Sequence, residues 1–153
     1  MTQTVDTNVL LHASNAGAAE HERARRLVDH LAAGPSVVVL LWPTILGYLR
    51  IATHASIFPS PLSPEAAARN IDALLGAPAV RVVGESDGFW REFQTVADPV
   101  RPRGNLVPDA HLAALMRQHG VSTIWTRDRD FRKFDGIRVK DPFDERYATA
   151  FDV

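Results

Sequence analysis

Strand-like and helix-like segments alternate along this chain of 153 residues, and the alternation constrains its fold more than any other feature. The clearest strand is at residues 36–41, a run that is rich in β-branched residues and continuously apolar. Such a run is typical of a strand that is covered on both faces. Because strands and helices alternate, the sequence predicts a layered α/β fold with a largely parallel sheet.

The other segments follow the same pattern. Strands are predicted at residues 2–5, 36–41, 79–83, 122–125 and 136–139, and helices at residues 18–33, 43–53, 65–75, 86–97 and 109–119. Glycine and proline residues at the ends of several helices support these boundaries. The segment 98–105 contains two prolines, a glycine and two arginines, and we expect a mobile basic loop there. No repeat or linker is visible, which predicts one domain at residues 1–142 and a C-terminal tail at residues 143–153.

Composition narrows the class of protein. With 46% hydrophobic and 23% charged residues, the chain resembles an ordinary globular domain. The formal net charge of −1 provides no global basic field, so any binding of nucleic acid must be local. The absence of cysteine excludes disulfides, thiolate metal ligands and cysteine nucleophiles. We find no signal-peptide pattern and no apolar run of membrane-spanning length, and we therefore expect a cytoplasmic protein that does not bind membranes.

Aspartates stand at the boundaries of three apolar segments. Asp6 follows the first strand, and Asp109 lies in the first turn of the last predicted helix. Asp128 and Asp130 follow the fourth strand. Each has an ordinary explanation when considered alone, as a helix cap, an acid at a helix N-terminus or a turn residue paired with a nearby arginine.

Convergence of these aspartates changes the interpretation. Parallel sheets bind ligands beyond the carboxyl ends of their strands, which is where Asp6 and Asp128 are expected. Carboxylates that meet there repel each other unless a cation is bound. Ligands that are all oxygen suit Mg²⁺ or Mn²⁺ better than zinc. The sequence therefore predicts an acidic pocket that has no cation of its own and binds a divalent metal.

Several other enzyme classes lack their motifs. The chain has no Gly-x-Ser-x-Gly nucleophile elbow, no P-loop and no Gly-x-Gly-x-x-Gly segment. Its six histidines form no close metal-binding pair. These absences make serine hydrolases and nucleotide-cofactor enzymes poor candidates.

Three segments, taken together, resemble the acidic motifs of PIN domains. They are Val5-Asp6-Thr7-Asn8-Val9-Leu10, Leu106-Val107-Pro108-Asp109-Ala110-His111-Leu112-Ala113 and Thr126-Arg127-Asp128-Arg129-Asp130-Phe131. From Val5 to about Pro142, the chain is similar to the VapC-type toxins of bacterial toxin–antitoxin pairs. The segments Trp42-Pro43-Thr44 and Arg50-Ile51-Ala52-Thr53 resemble one branch of that group.

The resemblance implies a PIN-like three-layer α/β/α fold and a Mg²⁺- or Mn²⁺-dependent endoribonuclease toxin. Such an enzyme cuts structured RNA, commonly tRNA or rRNA, by in-line attack of an activated water. By the resemblance, Asp6 and Asp109 would hold the principal ion. Asp128 would complete the site or bind a second ion, and Asp130 is a possible orienting residue. Asn8 and Thr126 would orient the carboxylates through hydrogen bonds.

The same resemblance implies partners. RNA that reaches an acidic pocket needs cations at the rim. The candidates are Arg50, Arg101, Arg103, Arg127 and Arg129. Trp42 could stack on a base, although core packing is the favoured interpretation. A small antitoxin whose arginine enters the pocket is expected, and so is a homodimer that buries apolar helical surface. The alanine-rich helices at residues 18–33 and 64–75 would suit such packing, but they would also suit a plain core.

One position departs from the PIN pattern. The helix after the second strand usually carries a glutamate three residues before the arginine, but here Gly47 stands before Arg50. Glycine within a helix costs about 1 kcal/mol relative to alanine, so helix propensity does not explain it. The chain could be an inactivated form, a naturally weak or inactive member, or an enzyme in which water or Asp130 replaces the missing ligand. The sequence favours the first two explanations, and Glu65 and Glu85 lie on other segments and are poor substitutes.

Two alternatives to the nuclease stay open. A catalytically inactive PIN scaffold would bind RNA or an antitoxin without cleavage, and Gly47 favours this interpretation. A phosphatase-like hydrolase would form an aspartyl-phosphate at Asp6. It would need a second aspartate two residues later, where Asn8 stands.

Overall fold

The computed structural model describes residues 2–151 and places five strands in one sheet. The strands are β1 (Gln3–Val5), β2 (Val38–Leu41), β3 (Val80–Val83), β4 (Thr123–Trp125) and β5 (Arg138–Lys140). Their order across the sheet is β3-β2-β1-β4-β5, and all neighbouring pairs are parallel. The predicted parallel sheet is confirmed.

The direction in which strands are added reverses at β1. The chain first adds β2 and β3 on one side of β1, and then crosses over to place β4 and β5 on the other side. Open α/β sheets bind ligands at such a switch point, beyond the carboxyl ends of the strands. The register pairs Val5 with Trp125, so the residues that follow these two positions meet at one place.

Helices cover both faces of the sheet. Within residues 2–151 they are α1 (Thr7–Ser14), α2 (His21–Ala33), α3 (Trp42–Ala52), α4 (Pro64–Leu75), α5 (Phe89–Ala97) and α6 (Leu106–Gln118). Val38 and Leu40 of β2 pack in one apolar cluster with α1 to α4, whereas Val39 and Leu41 pack in a second cluster with α6. Alternate strand residues point to opposite faces, so the fold has three layers, α/β/α, as predicted. Among the described residues, no helix is both long and apolar enough to cross a bilayer.

Several helices begin at other residues than the sequence predicts. α2 begins at His21 rather than at residue 18, because the preceding residues form turns in which the N–H of His21 donates to the Ala18 carbonyl. α5 begins at Phe89 rather than at residue 86, after Gly88 with a φ of 81°. Such a left-handed conformation does not continue a helix, and glycine adopts it readily.

Helix α6 begins earlier than predicted, at Leu106 rather than at Asp109. Pro108 is tolerated because it lies in the first turn, where its missing N–H has no intrahelical acceptor. Asp109 still lies in that first turn. The sequence predicted no range for helix α1. It indicated this helix only through the interpretation of Asp6 as a helix cap.

The C-terminal segment packs onto the domain. Phe143, Tyr147 and Phe151 contact the apolar cluster formed with α1 to α4. Trp125 makes edge-on ring contacts with Tyr147 and Phe151, with centroids 5.0 and 5.5 Å away. Arg23 of α2 donates hydrogen bonds to the carbonyl oxygens of Phe143 and the next residue. The described part of the predicted tail, up to residue 151, therefore packs against the core through these aromatic side chains.

Candidate functional site

Asp6 lies at the carboxyl end of β1 and forms the N-cap of α1. Its Oδ1 accepts a hydrogen bond from the N–H of Thr7 at 2.7 Å. Its Oδ2 accepts one from Asn8 Nδ2 at 3.0 Å and one from the Thr126 hydroxyl at 2.8 Å. Burial raises the pKa of Asp6, the hydrogen bonds from Thr126 and Thr7 oppose this rise, and the charge of Asp128 adds to it. Asp6 is thus both a helix cap and a carboxylate oriented by Asn8 and Thr126, as the sequence analysis expects.

Asp109 is held differently. It is half-buried, and none of the described residues donates a hydrogen bond to its carboxylate. Burial is the main cause that raises the pKa of Asp109 to about 7. The carboxylates of Asp128, Asp6 and Asp130 contribute to this rise, in that order, and the ammonium of Lys133 opposes it. Burial and the neighbouring carboxylates together therefore favour the neutral form of Asp109.

Asp128 and Asp130 lie at the start of a short 3₁₀ helix, Arg129–Lys133, directly after β4. Asp128 Oδ1 accepts a hydrogen bond from the N–H of Asp130 at 2.9 Å, and the Asp128 N–H donates to the Thr126 hydroxyl at 2.9 Å. One carboxylate oxygen each from Asp109, Asp128 and Asp130 lies within 4.8 Å of the others. Asp130, expected as an orienting residue or as a replacement for the missing ligand, thus belongs to the same group of acids as Asp109 and Asp128.

One cation lies beside these acids, contrary to the expectation of a pocket without one. Lys133 Nζ is 3.2 Å from Asp130 Oδ1, on the next turn of the same short helix. Both side chains are about half exposed, and an exposed pair of this kind is weak. The spacing of three residues was a signal in the sequence that could have identified this pair.

The donor set fits a divalent cation that prefers oxygen ligands. Asp109, Asp128 and Asp130 offer oxygens close enough together to share one ion, and their mutual repulsion would be relieved by it. Asp6 borders this group, but both of its oxygens already accept hydrogen bonds. The geometry therefore favours Asp109, Asp128 and Asp130 as the group that could hold a metal, with Asp6 at its edge.

Gly47 lies on α3 against the start of α1. A Cβ atom at this position would be 3.1 Å from the hydroxyl oxygen of Thr7 and 3.7 Å from its methyl group. The Thr7 hydroxyl donates a hydrogen bond to the Thr44 carbonyl at 3.1 Å. Close packing between α1 and α3 therefore provides a physical reason for glycine, which the sequence alone did not reveal.

Neither Glu85 nor Glu65 takes the place of the missing glutamate. Glu85 forms a hydrogen bond with Nε2 of His111, and this contact lowers the pKa of Glu85. Glu65 is exposed in the first turn of α4. Neither residue belongs to the group formed by Asp109, Asp128 and Asp130. The expectation that both are poor substitutes agrees with these positions.

The arginines expected at the rim lie in different environments. Arg50, Arg101 and Arg103 are exposed, and Arg101 has a left-handed backbone conformation with a φ of 52°. Arg127 is also exposed, but its guanidinium forms an ion pair with Glu20, with 2.9 Å between Nη1 and Oε1. Arg127 is therefore less available for phosphate than predicted. Nothing in the sequence pointed to Glu20, since the two residues are 107 positions apart.

Trp42 was expected to pack in the core, and this expectation is wrong. Its side chain is 45% exposed at the start of α3, beside Gly84. Leu46, on the next turn of α3, is 59% exposed. Part of the apolar surface of α3 thus faces outwards.

A separate cavity of about 420 Å³ lies between the helices on one side of the sheet. Leu10, Val28 and Leu74 contribute apolar surface, and the hydroxyl of Tyr48 bonds to Asn70 within it. None of the four aspartates lines this cavity. The acidic group is therefore separate from this open pocket.

Comparison with known proteins agrees with this geometry. The PIN domain model matches residues 4–137. Ribonuclease VapC48 of Mycobacterium tuberculosis is 56% identical over 143 residues, which cover 94% of this chain and 99% of that protein. The crystal structure of M. tuberculosis VapC20, described as a sarcin-ricin loop cleaving toxin, matches with a TM-score of 0.63 and 24% identity over 89% of this chain and 98% of that one. VapBC2 from Rickettsia felis, solved bound to a DNA fragment from its promoter, matches with a TM-score of 0.65 and 13% identity over 92% and 98% of the two chains.

Proposed function

This chain belongs to the PIN-domain family, among the VapC toxins, and from that premise we propose that it is a Mg²⁺- or Mn²⁺-dependent endoribonuclease acting on structured RNA in the cytoplasm. The observation that carries the proposal is the convergence of Asp6, Asp109, Asp128 and Asp130 at the switch point of the sheet. Acids from three separate segments meet there although they repel one another. A site that costs stability in this way is expected where function requires it.

The catalytic roles follow from the geometry. Asp109, Asp128 and Asp130 would hold the cation, and Asp6 would be the fixed carboxylate beside them. When bound, a divalent cation neutralises charge that develops on the scissile phosphate and lowers the pKa of water. Thr126 holds Asp6 through its hydroxyl, and the same hydroxyl accepts the Asp128 N–H, so one side chain orients both acids.

We propose that the metal site works without a carboxylate at position 47. The close contact between Gly47 and Thr7 gives the glycine a packing role, and the Asp130 carboxylate supplies a third acid near the cation. Both observations support the explanation that the sequence alone favoured least. The 56% identical relative is itself named a ribonuclease.

RNA approaches this acidic edge through cations at its rim. Arg101 and Arg103 lie on the loop before α6, the helix that carries Asp109, and both are exposed. Replacing both with alanine should weaken RNA cleavage and make RNA binding less sensitive to salt. The slope of log K against log salt concentration should fall by about 0.7 for each phosphate contact with a single strand that is lost. Metal affinity should stay unchanged. If neither cleavage nor its salt slope moves, Arg50 and Arg129 become the candidates.

The substrate is proposed to be a loop of a structured RNA, tRNA or rRNA. Single-stranded loops expose base edges that a duplex hides. The related toxin VapC20 is described as cleaving the sarcin-ricin loop. The exposed Trp42 could stack on a base, although its position on α3 also suits a protein contact.

We also propose two protein partners. The first is a small antitoxin, since solved relatives include toxin–antitoxin complexes, and its arginine would neutralise the pocket in place of the metal. The second is another copy of this chain. Trp42 and Leu46 provide an exposed apolar surface for such a dimer, rather than the helices at residues 18–33 and 64–75 that the sequence suggested. Size-exclusion chromatography of the parent and of Leu46→Glu tests the dimer. If both proteins elute as monomers at micromolar concentration, the result argues against it.

Metal-dependent cleavage separates this proposal from a catalytically inactive scaffold. The purified chain is incubated with total tRNA and rRNA in Mn²⁺, in Mg²⁺ and in a chelator, beside an Asp128→Asn variant. Cleavage that needs metal and is lost in the variant supports the enzyme. RNA or antitoxin binding with no cleavage under any of these conditions would favour the scaffold.

A further inference from the structure

Arg127 directly precedes Asp128 in the chain, yet its side chain is bound outside the acidic group. Nη1 of Arg127 lies 2.9 Å from Oε1 of Glu20. Its guanidinium carbon lies 4.8 Å from the centre of the Phe143 ring, which is the geometry of a cation–π contact. Two groups from distant parts of the chain therefore hold one arginine.

Glu20 is well placed to hold the arginine. It is the residue before α2, and its side chain makes no capping hydrogen bond there. It is also partly shielded, with a side-chain exposure of 27% compared with 49% for Arg127. Its second oxygen is 3.8 Å from Nδ1 of His12. A carboxylate at this exposure strengthens an ion pair more than a fully solvated one does.

Phe143 is fixed in turn. Arg23 donates a hydrogen bond to the Phe143 carbonyl at 2.9 Å, and His12 packs edge-on against the Phe143 ring with a centroid distance of 5.2 Å. The aromatic surface below Arg127 is therefore anchored to both α1 and α2. We call Glu20 and Phe143 together the arginine latch.

The latch lies close to the pocket. His12 is one helical turn after Asn8 on α1, and one turn corresponds to about 5.4 Å. Asn8 bonds to Asp6, and its side-chain oxygen faces the Arg127 N–H at 3.5 Å. An arginine side chain is long and always charged, so a released Arg127 would be attracted to the nearby aspartates.

We propose that Glu20 is a positioning residue that keeps Arg127 out of the acidic pocket, so that the pocket stays open to a metal cation. The proposal rests on the proposed metal-dependent function. Removing Glu20 would weaken metal binding mainly by releasing a competing cation, and only in smaller part by removing a nearby negative charge. Arg127 is then not a phosphate ligand in the resting protein, but an internal competitor that is held aside.

The test is a double-mutant cycle read by Mn²⁺ binding. Affinity is measured by calorimetry and by Mn²⁺ electron paramagnetic resonance for the parent, Glu20→Gln, Arg127→Gln and the double variant. Glu22→Gln is the matched control, because Glu22 is exposed in the first turn of α2 and is not part of the latch. Phe143→Leu removes the aromatic part of the latch while leaving Glu20 in place.

We expect Glu20→Gln to weaken Mn²⁺ binding by about tenfold, which corresponds to about 1.4 kcal/mol. Arg127→Gln should not weaken it, the double variant should return to the parent affinity, and Glu22→Gln should have almost no effect. Phe143→Leu should weaken binding by a smaller factor than Glu20→Gln. Rescue by the second substitution is the decisive result, because a loss of folding in Glu20→Gln would not be repaired by removing Arg127.

Two results would overturn the latch. One is a Glu20→Gln affinity equal to that of the parent, and the other is a double variant as weak as Glu20→Gln alone. If Glu20→Gln does not fold, the cycle is repeated with Phe143→Leu in its place. The proposal is then rejected if adding Arg127→Gln to Phe143→Leu does not restore Mn²⁺ affinity. If the parent binds no more Mn²⁺ than the Asp109→Asn variant does, the proposed function itself is rejected, and the latch with it.

Discussion

The two sides of the acidic pocket are built in opposite ways. On the β1 side, Asp6 accepts hydrogen bonds from the Thr7 N–H, the Asn8 amide and the Thr126 hydroxyl. On the α6 side, Asp109 accepts none from the described residues, and its pKa is raised to about 7. One carboxylate is held in place before any ligand arrives, whereas the charged form of the other is destabilised by burial and then by its acidic neighbours.

This difference suggests how the work is divided within one site. Hydrogen bonds to a carboxylate favour its charged form and fix its direction. Burial and nearby negative charge favour the protonated form, so Asp109 gains most when a cation arrives. The β1 side therefore provides orientation, and the α6 side provides the electrostatic drive for binding a metal.

The largest expected effects come from removing a carboxylate on either side. Asp6→Asn and Asp109→Asn should both abolish metal-dependent RNA cleavage, with losses beyond the about 10–100-fold that is typical of residues that only orient ligands. Asp130→Asn should weaken Mn²⁺ binding less than Asp109→Asn does, because Asp130 is exposed and already pairs with Lys133. Calorimetry and a cleavage assay measure these effects. Unchanged affinity and cleavage in Asp6→Asn would show that the site has been assigned to the wrong residues.

The orienting role of the β1 side is tested by Thr126→Val, which keeps the shape of the side chain and removes the hydroxyl. Because that hydroxyl contacts both Asp6 and Asp128, the variant should lose about 10–100-fold in metal affinity or cleavage. Thr95→Val on α5 is a matched control, since its hydroxyl bonds only to the Arg91 carbonyl. Equal behaviour of the two variants would remove the distinction between the sides.

Position 47 tests whether a further acid can be added to the β1 side. In Gly47→Glu the Cβ meets the Thr7 hydroxyl at 3.1 Å, and this crowding should offset the gain of about 1 kcal/mol expected from replacing a glycine within a helix. Combined with Thr7→Ser, whose hydroxyl rotates more freely, Gly47→Glu should raise metal-dependent cleavage above that of the parent. Gly47→Ala adds the Cβ without the acid and shows the packing effect alone. If the double variant cleaves no faster than Thr7→Ser, the site does not use a carboxylate there.

The smallest effect concerns stability and pH on the α6 side. The pKa of Asp109 is higher in the folded chain than its usual value of 3.8, so its cost to stability is absent below pH 4, grows as the pH rises and is complete above pH 7. Without metal, Asp109→Asn should be more stable than the parent at pH 8 by about 1–2 kcal/mol, a figure reduced for the partial exposure of the group. The gain should vanish near pH 4.

Thermal unfolding in a chelating buffer measures this difference, which corresponds to about 2–8 °C for a chain of this size. Asp87→Asn, at an exposed position, serves as the control for removing one charge. Parallel pH profiles of the parent and Asp109→Asn would mean that Asp109 is not strained. The two sides of the pocket would then be alike.

The sequence by itself determined the layers of the fold and the positions of the acids. Apolar runs and their caps identify strands and helices locally, and aspartates at the ends of these runs are visible without a structure. Parallel strand order then brings Asp6 and Asp128 to one edge, so the acidic pocket was predictable. The first residues of the helices were harder to predict, because a turn such as the one before His21 depends on hydrogen bonds rather than on periodicity.

Only the tertiary structure decided what each side chain does in the pocket. Arg127 looked free for RNA, yet it pairs with a glutamate 107 residues away. Gly47 looked like a defect in the site, yet it packs against Thr7 from another helix. Asp130 looked like an accessory residue, yet an oxygen of its carboxylate lies within 4.8 Å of oxygens of Asp109 and Asp128. These roles depend on distances of a few ångströms between segments remote in the chain, and local patterns contain no information on such distances.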